Sequence, residues 1–273
     1  MPDSIRRVLT ALIAAPVVIG IAYVGGWAFA ALVAAIGLVA QAEVYSIAKS
    51  SGLAPSRSAG FLLGALVVAG VLAPDAWMGA IALVAGVVTV SPFFINQESF
   101  LANLAVTLAG AVYPTGLLAG LVAIRSGQSA QATNLDAFFL VMMTLFLVWA
   151  TDVFAYYVGK SVGSTPLAPS ISPNKTWEGS VGGAVSALLV AAGFKLVGVV
   201  ALAWIHVVAI ALICGVISQA GDLAESQIKR SAGVKDAGSV LPGHGGLLDR
   251  FDSMAVAAPL VYLYLRYVAD VFV

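Results

Sequence analysis

Charge is what this chain has least of. Only 10% of its 273 residues are Asp, Glu, Lys or Arg, while 61% are hydrophobic; a soluble domain carries about 25% charged residues. A chain of this length can bury a large core in water, but it cannot hide so much apolar surface, so a soluble globular protein is excluded. Cysteine is nearly absent. The single Cys214 rules out an intramolecular disulfide and any multi-cysteine metal site, and its apolar surroundings suit an inert buried thiol. The 13 basic and 13 acidic side chains cancel, which argues against a basic nucleic-acid surface. Also missing are a Walker loop, a dinucleotide fingerprint and a nucleophilic triad. What remains is an all-α, polytopic integral membrane protein.

Hydropathy divides the chain into about nine helices. Val8–Val24, behind Arg6 and Arg7, reads as a retained first helix rather than a cleaved signal, and Gly25-Gly26 turns into Trp27–Ala48. Gly60–Ala73 is short for a bilayer of roughly 30 Å and could form a re-entrant pair with Ala76–Val90 across Pro74-Asp75, reducing the count to seven or eight. Phe100–Ile124 is interrupted by Pro114; Ala137–Val158, Val181–Gly193, Val197–Gln219 and Met254–Val273 follow. Residues 1–130 read as scaffold and dimerisation helices, and 131–273 as the catalytic region. With the N-terminus inside, ten of the thirteen Lys and Arg residues fall on the inner side, a positive-inside bias that puts 159–179 and 221–252 at the cytoplasmic face.

Nine charged side chains crowd into 221–252: Asp222, Glu225, Lys229, Arg230, Lys235, Asp236, Asp249, Arg250 and Asp252. In a helix continuing past Gln219, Asp222, Glu225 and Lys229 share a face. Asp249 and Asp252 do likewise, and the turn formers at 242–246 let the chain fold back so that Asp222 meets both. Such an oxygen-rich cluster suits a hard divalent cation of the Mg²⁺ kind, which also binds substrate phosphates; a solvated interfacial loop is the plain alternative. Lys229, Arg230, Lys235 and Arg250 suit phosphate oxygens. Gly243, Gly245 and Gly246 either let backbone N–H groups approach an anion or simply make the turn. His244 either donates to a phosphate or caps that turn, and His206, inside an apolar span, reads as a packing residue.

Two upstream features belong with this stretch. Asp152, a carboxylate in the apolar run LFLVWATDVFAYYVGK, needs a partner or a role, and reads as a metal or substrate ligand. In SPNKTWEG, Lys175, Thr176 and Glu178 place a base, a hydroxyl and an acid at a helix start, where an anion or a sugar can be recognised. Trp177 either stacks on a base or anchors in the headgroup layer.

These residues resemble the phosphatidate cytidylyltransferase (CDP-diglyceride synthase) family. The run from Ser226 to Asp252 matches its signature at Ser226, Lys229, Arg230, Lys235, Asp236, Pro242, His244, Gly245, Gly246, Asp249, Arg250 and Asp252. Asn174 stands where the family more often has lysine. The resemblance is strong over roughly 150–255, the earlier residues sharing only general membrane character. It implies an integral membrane enzyme, commonly dimeric, that joins CTP to phosphatidic acid with Mg²⁺ to give CDP-diacylglycerol and pyrophosphate. It further implies metal ligation by Asp222, Asp249 and Asp252, with a second cation, K⁺ or another divalent ion, beside the Mg²⁺. Catalytic roles are expected for Asp222, Lys229, Arg230, Lys235, Asp249 and Arg250, and substrate contacts for Asp152, Lys175, Thr176, Glu178, Ser226, Asp236, His244, Gly245 and Gly246. A CTP-using polyprenol kinase and a cation transporter are the competing classes.

Overall fold

The structure is a computed structural model and describes residues 15–90, 99–127, 133–238, 240 and 245–272. Among the described residues the helices are α1 (Ala15–Val24), α2 (Gly26–Ser50), α3 (Arg57–Gly70), α4 (Pro74–Val90), α5 (Phe100–Ser126), α6 (Asn134–Val162), α7 (Trp177–Leu196), α8 (Trp204–Ser231) and α9 (Leu248–Tyr267). Five of them, α2, α5, α6, α7 and α8, are long and apolar enough to cross a membrane; α1, α3 and Met78–Val87 within α4 are shorter apolar helices. The all-α membrane architecture stands.

Two local expectations change. Pro114 does not interrupt α5: the helix passes it in a π turn, Ala111–Gly116, whose wider winding accommodates a residue that has no N–H to donate. The polar segment after α6, in a chain expected to be all-α, holds two short strands. It forms an antiparallel hairpin of β1 (Pro166–Ala168) and β2 (Ser172–Thr176), and α6 itself runs on to Val162.

The described residues fall into two compact units, one from Met1–Val122 with Lys229–Phe251, the other from Ala123–Ile228 with Asp252–Val273. In the first, α2 is fixed by a polar chain buried in an apolar setting. Gln41 donates to the Tyr45 hydroxyl at 2.8 Å, Tyr45 donates to the Thr107 carbonyl at 2.7 Å, and Thr115 donates to Gln41 Oε1 at 2.8 Å. All three side chains beyond α2's own backbone are thereby satisfied, which burial away from water demands. Glycines make the approach close enough: a Cβ on Gly37 would lie 2.8 Å from the Thr115 Cα, and one on Gly64 would lie 2.6 Å from Gln41 Oε1.

The second unit is built on α6 against α7. Small residues face each other here, since a Cβ on Gly183 would lie 2.8 Å from the Thr151 carbonyl and one on Gly179 would lie 2.6 Å from that of Ala155. This is the close backbone approach that lets helices pack in lipid, where no hydrophobic force drives them together. α8 carries a second π turn, Ile213–Ile217, directly before its charged end. Within it, the Cys214 carbonyl accepts from Ser218 Oγ at 2.5 Å and from Thr151 Oγ1 at 3.3 Å. Cys214 is fully buried, as its apolar context required, and His206 Nδ1 shares a hydrogen bond with the Tyr264 hydroxyl at 3.0 Å.

Candidate active site

α8 continues through the charged stretch as far as Ser231, so Asp222, Glu225 and Lys229 do share a helical face. In the second unit, carboxylate oxygens of Asp222, Glu225 and Asp252 all lie within 4.8 Å of one another. The approach of Asp252 depends on Gly221, where a Cβ would lie 2.5 Å from the Asp252 carbonyl oxygen and 2.9 Å from Val256. Three carboxylates this close repel, and two of them, Glu225 and Asp252, are buried. Burial first, then the Asp222 charge, with smaller contributions from Glu225 and Asp152, holds the Asp252 carboxyl well above the usual carboxylate range. The Ser253 N–H, 2.6 Å from Asp252 Oδ1, opposes that shift. Crowded, desolvated oxygen donors fit a hard divalent cation, which would offset both the repulsion and the lost hydration.

Lys175 approaches the same cluster from β2, forming an ion pair with Asp222 Oδ2. Ser226 donates weakly to the other Asp222 oxygen at 3.4 Å. The hairpin presenting Lys175 is held by its neighbours in SPNKTWEG. Thr176 caps α7 by accepting the Gly179 N–H at 3.2 Å, a local bond that side-chain oxygens at this position commonly make. Glu178 accepts from Ser164 Oγ at 2.7 Å and from Thr165 Oγ1 at 3.0 Å, closing the loop between α6 and β1. Thr176 and Glu178 therefore shape the segment in which Lys175 sits. Trp177 is largely exposed, at the start of a membrane-length helix.

The first unit holds the rest of the signature. Lys229 donates to Asp249 Oδ1 at 2.6 Å, and the two side chains are only 12% and 14% exposed. The other Asp249 oxygen accepts the N–H groups of Gly246 at 3.1 Å and Ala237 at 3.3 Å. Asp249, expected among the metal ligands, thus has a set of donors within its own unit, while Glu225, left out of that expectation, joins Asp222 and Asp252. Arg230, Lys235, Asp236 and Arg250 are exposed, and Arg230 also donates to the Val234 carbonyl at 3.3 Å. Gly245 has φ +77, a conformation that glycine adopts without strain. Pro242, Gly243 and His244 lie outside the described residues.

Glu43, an acid near the end of α2, is not among the residues singled out in the sequence. It accepts the N–H of Leu247 at 3.0 Å and of Leu248 at 2.7 Å, both in the first unit. The signal that could have found it is the one that found Asp152, a carboxylate inside an apolar helix. Gly246 is explained by the same group: a Cβ there would lie 2.9 Å from Glu43 Oε2 and 3.0 Å from Asp249 Oδ2.

Comparison with known proteins agrees with the motif and widens it. The model of the Cytidylyltransferase family matches residues 5–268. A phosphatidate cytidylyltransferase of Bacillus subtilis is 36% identical over 278 residues, covering 97% of this chain and 98% of the relative. That of Brucella abortus is 35% identical over 266 residues, covering 97% and 94%, and that of Synechocystis is 31% identical over 285 residues, covering 95% and 96%. The likeness is therefore not confined to 150–255 but includes the N-terminal helices that hold Glu43. This chain belongs to the cytidylyltransferase family, as an integral membrane nucleotidyltransferase.

Proposed function

We propose that this chain transfers the cytidylyl group of CTP to phosphatidic acid, giving CDP-diacylglycerol and pyrophosphate, with Mg²⁺, at the cytoplasmic face of a prokaryotic inner membrane. The observation that carries the reading is the cluster of Asp222, Glu225 and Asp252 beside Lys175, within a chain whose relatives are named for that reaction. The nucleophile is a phosphate oxygen of the lipid, already anionic near neutral pH because its second pKa is about 6. A strong general base is then unnecessary. The lipid oxygen forms a bond to the α-phosphorus of CTP as the bond to the bridging oxygen of the β-phosphate breaks, and pyrophosphate leaves with that electron pair.

Bringing two polyanions together is the main difficulty. Asp222, Glu225 and Asp252 would hold Mg²⁺, which supplies Lewis-acid neutralisation of phosphate charge when bound; K⁺ or a second divalent ion would share the cluster. Lys175 keeps Asp222 from adding its full charge to the repulsion, and Asp152 adds a further carboxylate field. Lys229, Arg230, Lys235 and Arg250 carry positive charge for the phosphates, with Asp249 fixing the Lys229 ammonium. Ser226, Asp236, His244, Gly245 and Gly246 complete the substrate-contacting set, residues 1–130 serve as scaffold, and the enzyme works as a homodimer.

The test uses purified protein in lipid with phosphatidic acid, Mg²⁺ and CTP labelled at both the α- and γ-phosphates. The proposal expects α label in lipid and γ label in pyrophosphate, with no turnover when Mg²⁺ is chelated. γ label in lipid would identify a kinase instead. Transport of a labelled cation without nucleotide, with neither phosphate moved, would identify a transporter.

A further inference from the structure

Glu43 lies in α2, a helix of membrane-crossing length, and is 5% exposed. The two groups that donate to it, Leu247 N–H and Leu248 N–H, belong to the start of α9, where a helix leaves its first four N–H groups without internal partners. A capping Asp, Asn, Ser or Thr usually meets that need locally. The residue preceding α9 is Leu247, whose side chain accepts nothing, so the cap comes from a carboxylate 204 residues away in sequence. A negative charge there also complements the positive end of the helix dipole.

The fit around this carboxylate is close. A Cβ on Gly238 would lie 2.5 Å from Glu43 Oε1, and one on Gly246 would lie 2.9 Å from Oε2. A neighbouring groove of about 500 Å³ is lined by Leu38, Val39, Phe61 and Val240 with Ser46 beside Glu43; it is mostly apolar, and the Ser46 hydroxyl donates to the Ala42 carbonyl instead, at 2.8 Å. The hydrogen bonds of the Glu43 carboxylate accordingly go to the loop. α2 can hold Glu43 still because Gln41 and Tyr45, each two residues away and so roughly 200° round the helix, are tied to Thr115 and Thr107.

We propose that Glu43 is a positioning residue for the transfer reaction, acting as a remote cap that sets the backbone of 245–249. Gly246 is shared between the two carboxylates, its N–H bonding Asp249 and its open Cα side meeting Glu43. Glu43 thereby fixes Asp249, and Asp249 fixes the Lys229 ammonium at 2.6 Å. Glu43 touches no substrate. It determines where a phosphate-binding lysine stands.

This inference rests on the cytidylyltransferase reading for its kinetic consequence, but not for its structural one, so the test has two arms. Amide hydrogen exchange of the 245–250 segment is followed in full-length wild type, Glu43→Gln and Gly238→Ala, beside kcat and KM for CTP. Glu43→Gln replaces one acceptor by a donor that opposes an N–H; Gly238→Ala keeps the carboxylate but displaces it. Each is expected to speed exchange in 245–250 by at least about tenfold and leave the Gln41–Tyr45 turn unchanged. Each should lower kcat by about 10- to 100-fold, as expected for a small misplacement of a charged group, with KM for CTP within about threefold of wild type. Should Glu43→Gln not fold, Gly238→Ala carries the test alone. Wild-type exchange together with wild-type kcat in a folded variant overturns the proposal. An inactive wild type with slow exchange at 245–250, and fast exchange in the variants, would sink the activity reading and leave the remote cap standing.

Discussion

Lys229 and Asp249 form a short ion pair, Nζ to Oδ1 at 2.6 Å, with both side chains shielded from solvent. Asp249 also accepts two backbone N–H groups, so its charge is satisfied from both sides. Breaking such a pair from one end leaves a desolvated charge, which typically costs about 3–5 kcal/mol when fully buried and less here because some solvent reaches it. A double-mutant cycle of Asp249→Asn and Lys229→Met, read by thermal unfolding in detergent, should give a coupling of about 1–3 kcal/mol. Both single variants should lose at least about a hundredfold in kcat/KM while still folding. Additive stability effects, or near-normal turnover by folded Asp249→Asn, would show that this pair is not what holds the lysine.

The spacing at Gly221 makes a sharper packing prediction. A Cβ there would meet the Asp252 carbonyl at 2.5 Å and Val256 at 2.9 Å, whereas one at Gly193 would meet nothing within 4 Å. Both glycines are helical. Gly193→Ala should be neutral or stabilising by up to about 1 kcal/mol, through helix propensity alone. Gly221→Ala should destabilise by about 1–3 kcal/mol through overpacking and, by pushing Asp252 away from Asp222, raise the Mg²⁺ concentration needed for half-maximal activity. Equal melting temperatures for the two variants would refute this.

The sequence showed the helices and the identity of the charged stretch clearly, because apolar runs and an acid-base cluster are local signals. It was less able to show partners. Asp249 was grouped with Asp222 and Asp252 because spacing puts Asp249 and Asp252 on one helical face; its donors Lys229, Ala237 and Gly246 come from separate stretches of the chain, and two of them are backbone N–H groups. Glu225 gave no stronger signal than any other acid on its helix until Gly221 allowed Asp252 close. Glu43 bonds a backbone 204 residues away, and backbone donors carry no residue-type signature. The hairpin was missed because strands of three and five residues are too short for a periodicity to register.

Asp252 makes the acidic cluster sensitive to pH. An acid held above its ordinary value of 3.8 binds its proton more tightly in the folded state than in the unfolded chain. The folded protein then carries the extra proton between the two pKa values, so stability falls as pH rises through that window and the loss is complete above the folded value. Metal-free protein should therefore melt at progressively lower temperature as pH is raised above 3.8 through that window. Asp252→Asn should flatten that slope. Mg²⁺ should restore the melting temperature most strongly at the alkaline end, where Asp252 is ionised. A metal-free melting temperature that rises with pH, with the slope unchanged in Asp252→Asn, would contradict the assignment.

Lys175 separates two roles that the sequence could not. It was expected to contact substrate, and its ammonium forms an ion pair with Asp222, a carboxylate of the acidic cluster. A lysine that neutralises Asp222 competes with a cation for it. Both side chains are about 30% exposed, so solvent screening limits the interaction to roughly 0.5–1 kcal/mol. Lys175→Met should therefore tighten Mg²⁺ binding about two- to fivefold, measured by metal titration of the melting temperature without nucleotide. The pH slope from Asp252 should steepen in the same variant, since Asp222 then repels Asp252 with its full charge. If Lys175 instead serves mainly to hold CTP, the metal titration should not move and KM for CTP should rise by at least about tenfold. Both changes together would mean that the lysine passes from Asp222 to a substrate phosphate once the metal arrives. Thr176→Val should then act as a partial copy of Lys175→Met, because removing the cap from α7 frees the strand that presents the ammonium. Thr176→Ser, which keeps the cap, should not.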